Sequence, residues 1–249
     1  MYLDNKIIYL TGGTKGIGLE CARAYTAQGA TVVIVANDIA SVDSCKTILG
    51  TEDVLLADVS DEADVNRTIR YTLDKYGRID AVHNNAGIAH PAKPLHETTG
   101  KEWDDLFAIN VKSMLHTTKH AFSALRETRG CILNTSSLVG EIGQEDHAAY
   151  SATKGAMNAL TKSMALDYAP FHIRVNAVAP AGVWTPMLRE WNASQQNAND
   201  MERYLNEIHP LGYCPEGDVI ADVCVFLLSE KARFVTGLIL PVSGGAELG

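Results

Sequence analysis

Tyr150 and Lys154 bracket the run Tyr150-Ser151-Ala152-Thr153-Lys154. On a helix, residues four apart share one face, so the phenol and the ammonium point the same way. A free phenol, with a pKa of about 10, is a poor base at neutral pH. A neighbouring ammonium favours its ionised form, and lowering the pKa to about 7 takes about 4 kcal/mol. The pair is suited to taking a proton from an oxygen and returning it. A Tyr–Lys pair alone also describes an ordinary helix surface, so its companions matter. Ser136-Ser137 follows a strand-like run upstream of Tyr150. Asn110, in Ile109-Asn110-Val111-Lys112-Ser113, sits inside a helical pattern, where a polar residue needs a partner. Asn84-Asn85-Ala86-Gly87 ends another strand-like run, where a backbone loop can close over a ligand.

A second set of residues could hold an anion. Thr11-Gly12-Gly13-Thr14-Lys15-Gly16-Ile17-Gly18 follows the first strand-like run and opens a helix. Gly12 permits a tight turn, Gly16 lets the backbone approach a pyrophosphate, and Gly18 lets the helix pack closely on the sheet. The helix N-terminus adds free N–H groups and a partial positive charge. Glycines also simply make turns, but the strand–turn–helix context is that of a dinucleotide cradle. Oxidised nicotinamide would bring further positive charge to the Tyr150 phenol.

These groups need elements to position them. Strands are expected at 6–10, 31–35, 53–57, 79–83, 131–135, 172–178 and 238–242, and helices at 17–28, 62–76, 101–127, 147–168 and 217–228. Alternation of this kind implies an α/β fold: one doubly wound parallel sheet of Rossmann type, with helices on both faces. Residues 1–249 are expected to form a single domain that both binds the dinucleotide and carries the catalytic groups. Residues 184–213 are polar and rich in Asn and Gln, and are expected to be irregular. They follow the carboxyl end of a strand, where such folds bind ligands, and are expected to act as a substrate lid.

Bulk composition narrows the function classes. The chain is 46% hydrophobic with a formal net charge of −9, which permits a sizeable core and disfavours nucleic acid and anionic membrane surfaces as partners. Apolar runs such as Val223–Leu228 are far too short to span a bilayer. The five cysteines are scattered and never spaced as C-x-x-C, which suggests reduced, buried thiols and a cytoplasmic protein. His116 and His120 have a zinc-like spacing but no third ligand, so no metal is expected.

Taken together, these motifs resemble the short-chain dehydrogenase/reductase family over essentially the whole chain. The resemblance implies a nicotinamide-dependent enzyme moving a hydride between its cofactor and a secondary alcohol or ketone. It implies Tyr150 as acid–base, Ser137 as hydrogen-bond partner of the substrate oxygen, Lys154 as the group that tunes Tyr150 and binds the nicotinamide ribose, and Asn110 as holder of a relay water. It also implies a cofactor surface of Gly12, Thr14, Lys15, Gly16, Ile17, Gly18, Asn37, Asp38, Asp58, Val59, Asn85, Ala86, Gly87, Tyr150, Lys154, Pro180, Val183 and Thr185. Asp58 would meet the adenine and Thr185 the carboxamide. By analogy, the long helices imply a homotetramer. Two positions depart from the family pattern: its Pro-Gly appears as Pro180-Ala181-Gly182, and the Asp before the terminal Gly-Gly is Ser243.

The choice between NAD and NADP stays open. The family's usual acidic position after the second strand falls on Ala36, with Asn37 and Asp38 following. Asp38 favours NAD, whereas Lys15 is the kind of residue that NADP users carry. Ser136 to Gln144, Val183-Trp184-Thr185-Pro186 and the last seven residues resemble a narrower branch of 17β-hydroxysteroid and L-fucose dehydrogenase-like members. That implies a small-molecule substrate such as a sugar or another polyhydroxy compound, with His90, Gln144 and Trp184 as candidate contacts, and Glu145, Asp146 and His147 near them. Two alternatives stand beside it: an NADPH-dependent carbonyl reductase of ketoacyl or steroid-like ketones, and a non-catalytic dinucleotide-binding scaffold. The scaffold would be expected to lack one of Ser137, Tyr150, Lys154 or Asn110, and all four are present.

Overall fold

A computed structural model of the chain describes residues 1–194 and 198–248. Seven parallel strands form one sheet: β1 (Ile7–Thr11), β2 (Thr31–Ala36), β3 (Val54–Leu56), β4 (Ala81–Asn84), β5 (Cys131–Thr135), β6 (Arg174–Pro180) and β7 (Ile239–Val242). Their order, β3-β2-β1-β4-β5-β6-β7, reverses direction between β1 and β4, and that gap is the topological switch point. β1 and β2 are rich in β-branched and aliphatic residues, whereas β4 and β5 bury polar side chains toward their carboxyl ends; all five residues of β1 are buried, as expected where helices cover both faces.

One face of the sheet is packed by α1 (Gly16–Ala27), α2 (Ile39–Leu49) and α9 (Gly217–Leu228), with Cys21, Tyr25, Val42, Cys45, Ile220 and Cys224 in its core. The opposite face is packed by α3 (Glu62–Tyr76), α5 (Ser113–Thr128) and α6 (Ala148–Tyr168), through Val65, Ile69, Met114, Leu125, Met157 and Ile173. All five cysteines are free and buried. Among the described residues, no helix is long and apolar enough to cross a membrane.

Four differences from the sequence expectation have local causes. First, α2 was not expected; Asp38 caps it by accepting the Ala40 N–H, but its Ser-Val-Asp-Ser-Cys run carries only a weak apolar stripe. Second, the helix expected over 101–127 is broken. It runs as α4 (Gly100–Phe107), a π-helical turn at Ala108–Lys112, and α5, because the Asn110 side chain is drawn out to a neighbouring loop. Third, residues 184–213 are not irregular. Pro186 opens α7 (Pro186–Ser194), with Thr185 Oγ1 accepting the Leu188 N–H, and α8 (Ala198–Glu207) follows. Of the expected lid, residues 195–197 lie outside the described residues. Fourth, β3 is only three residues long.

Strand register puts the ends of β1, β4, β5 and β6 side by side. Leu10 pairs with His83, Asn84 with Asn134, and Thr135 with Val178. The glycine-rich segment after β1, Asn84 to Gly87, Ser136-Ser137 and the loop after Pro180 therefore all leave the sheet along one carboxyl edge.

Candidate active site

The cradle is built as its glycines predict. Gly12 and Gly16 take positive φ, at 66° and 52°. A Cβ on Gly18 would lie 2.1 Å from the Gly12 carbonyl oxygen and 2.5 Å from Asn85 Nδ2, so only glycine fits there. Thr11 Oγ1 accepts the N–H groups of Asn85 and Ala86, both at 3.1 Å, which bolts the β4 loop to the β1 loop. A Cβ on Gly16 would meet Thr185 at 3.2 Å, which brings the third loop, after β6, against the same cradle. Val183 is buried beneath it. The cleft bounded by these three backbone segments suits the pyrophosphate and ribose of a dinucleotide.

Several expected cofactor residues are displayed differently. The Thr14 side chain turns inward, donating to Ser41 Oγ at 3.1 Å. Lys15 Nζ lies 2.8 Å from Asp38 Oδ2, and this ammonium holds the Asp38 carboxyl below its ordinary value. Asp58 is exposed, with Oδ1 accepting from the N–H and hydroxyl of Ser60. The Val59 carbonyl oxygen lies 3.1 Å from His116 Nδ1, and His120 Nε2 lies 3.1 Å from Glu62. The two histidines thus serve separate partners.

The residues expected to transfer the proton gather on and around α6. Tyr150 is half-buried; burial pushes its phenol up to about 12, while the Ser137 hydroxyl beside it pulls the other way. Ser136, by contrast, is locked inside, donating to Asn158 Oδ1 at 2.6 Å. Lys154 is 4% exposed, and burial pushes its amine down to about 7. Its Nζ donates to the Thr135 carbonyl at 2.7 Å and stands 5.6 Å from the Tyr150 ring centroid. Asn110 accepts from Ile88 N–H at 2.9 Å and donates to Ile88 O at 2.9 Å and to Thr153 Oγ1 at 3.0 Å. The loop after Gly87 is thereby fixed over Lys154, whose Nζ would be 3.7 Å from a Cβ on Gly87. The π-helical turn frees Asn110 for this work, as such turns often do at functional sites.

The candidate substrate residues are not one cluster. His90 and Gln144 are exposed, on two loops joined by the Lys93 N–H, which donates to the Asp146 carbonyl at 2.6 Å. His147 meets the Tyr150 ring edge to face, with centroids 6.3 Å apart. The Trp184 main-chain N–H donates to Pro215 O, and the Arg189 guanidinium lies 5.2 Å over its ring. The sequence reading missed Thr135 and Thr153, which hold Lys154 and Asn110. The available signal was a Thr directly before the Ser-Ser pair and another three residues after Tyr150.

A family model described as Enoyl-(Acyl carrier protein) reductase matches residues 12–247. The chain is 40% identical over 244 residues to an L-fucose dehydrogenase of Bos taurus, covering 98% of this chain and 90% of that one. It is 36% identical over 248 residues to meso-2,3-butanediol dehydrogenase of Serratia marcescens, covering 99% and 96%. The crystal structure of levodione reductase superposes with a TM-score of 0.93 at 30% identity, covering 99% of each chain.

Proposed function

The chain belongs to the short-chain dehydrogenase/reductase family and is an NAD(P)-dependent oxidoreductase acting on CH–OH groups; from that premise we propose that Tyr150, Ser137, Lys154 and Asn110 carry the reaction. The observation that carries the proposal is the Ser137 hydroxyl against the Tyr150 phenol with Lys154 Nζ 5.6 Å from the same ring, beside a cradle in which a Cβ on Gly18 would strike backbone. In the alcohol-to-ketone direction Tyr150 accepts the hydroxyl proton and Ser137 donates a hydrogen bond to the same oxygen. Lys154 stabilises the phenolate while binding a ribose hydroxyl. When bound, the nicotinamide supplies the hydride acceptor and a positive charge. Because burial alone favours neutral Tyr150 and neutral Lys154, their charged pair depends on a filled site. Both Asn110 amide hydrogens are taken by Ile88 O and Thr153 Oγ1, while its Oδ1, which accepts the Ile88 N–H, keeps a second lone pair for a relay water.

The cradle, Asn37, Asp38, Asp58 and the Pro180–Thr185 loop are read as the dinucleotide surface. Lys15 is already paired with Asp38, which sets an acid near the place of the 2′-hydroxyl and holds the Lys15 ammonium on that acid; this supports NAD over NADP. The substrate is read as a sugar or related polyhydroxy alcohol. The full-length likeness to L-fucose and diol dehydrogenases supports this, as does the polar His147 against the Tyr150 ring, with His90 and Gln144 exposed on the two neighbouring loops. Residues 184–213, with α7 and α8, are read as the lid over it within a single 1–249 domain. Exposed Leu115, Leu160 and Leu166 on α5 and α6, and Phe226 and Phe234 at and after α9, support burial in a homotetramer. Five buried free thiols suit a reducing cytoplasm.

The test is absorbance at 340 nm with purified protein, NAD and NADP separately, and a panel of L-fucose, other aldoses, diols and hydroxysteroids. Turnover of an aldose or diol is expected. Silence on all of these, with turnover of ketones in the reverse assay, replaces the substrate reading with a carbonyl reductase. Binding of dinucleotide with no turnover of anything leaves only a scaffold.

A further inference from the structure

His83 is fully buried in the middle of the sheet, on the residue before Asn84-Asn85. Tyr25 of α1 is buried just as completely. Both are polar where an apolar side chain would fill the space at lower desolvation cost. Tyr25 Oη lies 2.9 Å from His83 Nδ1, and His83 Nε2 lies 2.9 Å from Thr135 Oγ1. Thr135 Oγ1 lies 3.1 Å from Asn85 Oδ1. Asn85 Nδ2 then reaches the carbonyl oxygens of Thr11 and Gly12, at 3.2 and 3.0 Å.

The direction of every proton follows from the last link. Two backbone carbonyls can only accept, so the end of Asn85 that faces them is its NH2. Its oxygen therefore faces Thr135, which must donate. Having given its one proton away, Thr135 Oγ1 accepts from His83 Nε2–H. In the tautomer that carries its proton on Nε2, the other ring nitrogen, Nδ1, accepts from Tyr25 O–H. Burial holds the Tyr25 phenol well above its usual range, so this first donor is permanent. The second polar atom of Thr135, its carbonyl oxygen, receives Lys154 Nζ at 2.7 Å.

We propose that Tyr25, His83 and Thr135 are positioning residues, a polarised hydrogen-bond chain that holds the Asn85 amide in the one orientation that pins the Gly12 turn of the dinucleotide cradle and that seats Thr135 beneath Lys154. Reversing the Asn85 amide would set three oxygens against one another with no proton between them. The turn would then open where the pyrophosphate approaches. The inference rests on the dinucleotide reading of the cradle.

The test compares NADH dissociation constants, by fluorescence titration of the full chain, for wild type, Thr135→Val and Thr135→Ser, with melting temperatures alongside. Valine matches threonine in shape and suits a strand but has no hydroxyl; serine keeps the hydroxyl. Thr135→Val is expected to weaken binding about tenfold, and Thr135→Ser to stay within about twofold. Equal constants for the two variants overturn the proposal. Failure of the wild-type chain to bind any dinucleotide sinks the cofactor reading instead. If Thr135→Val does not fold, His83→Gln against His83→Asn decides the same point. Glutamine places an N–H where His83 Nε2 reaches Thr135, and asparagine is too short to do so. Equal binding by that pair overturns the proposal as well.

Discussion

Gly18→Ala separates cofactor binding from stability. The added Cβ would lie 2.1 Å from the Gly12 carbonyl oxygen, against an ordinary carbon–oxygen contact of about 3.3 Å. Either the helix start or the Gly12 turn must therefore move by about 1 Å. Movement of the turn also breaks the 3.0 Å hydrogen bond from Asn85 Nδ2 to that oxygen. Overpacking of this kind costs about 1–3 kcal/mol. Alanine returns up to about 1 kcal/mol as a better helix former inside α1. The melting temperature should thus fall only modestly. The cradle, which must adopt its closed form to bind, carries most of the cost, and the NAD dissociation constant should rise at least tenfold. Gly100→Ala is the control, because nothing lies within 4 Å of its added Cβ; binding should be unchanged and stability equal or slightly higher. Titration calorimetry with NAD and thermal melts on the three proteins check both halves. A Gly18→Ala protein that binds NAD within twofold of wild type refutes the claim that this glycine is required by close approach.

Tyr150→Phe should lower kcat by two to four orders of magnitude while leaving the NAD dissociation constant nearly unchanged, measured by initial rates and titration. In the wild type, alcohol oxidation should quicken as pH rises, since the phenol starts protonated, and the residual rate of the variant should lose that dependence. Asp38→Asn frees Lys15 and removes the acid, so the NADP-to-NAD ratio of kcat/KM should rise by about tenfold; an unchanged ratio would remove the Lys15–Asp38 pair from the account of selectivity. Asp53 is 5% exposed: burial raises its carboxyl pKa, but hydrogen bonds from Lys75, Tyr76 and Tyr71 outweigh that and hold it below the ordinary value. Its contribution is therefore full above the unfolded value, near about 4, and is lost as pH falls through the folded one. Asp53→Asn should cost about 2 kcal/mol at pH 7 and flatten the loss of stability below about pH 4, read from melts across pH.

What could be read from the sequence divides by the range of the forces involved. The cradle was legible because its glycines answer to local backbone geometry, and Gly12, Gly16 and Gly18 behave as their spacing suggests. Strands such as β1 and β2 were legible because parallel strands buried on both faces are near-continuous apolar runs. The π-helical turn around Asn110 was not, since it exists only because Ile88 and Thr153 arrive from elsewhere in the chain. The short α2 and α7 were missed because polar composition masked their caps at Asp38 and Thr185. The Arg189 guanidinium over the Trp184 ring was not legible either, because it depends on how α7 folds back on the segment before it.

The sheet also acts as a ruler. From the end of β2, beside Asp38, to the end of β6, beside Thr185, there are four strand-to-strand steps through β1, β4 and β5. At about 4.8 Å each, they set a span of about 19 Å. On the proposed reading, the choice of cofactor is made at one end of that span and proton transfer is arranged toward the other, with the cradle after β1 between them. A substitution at Asp38 can therefore change which dinucleotide is held without touching Tyr150, and the two properties can be altered independently in one protein.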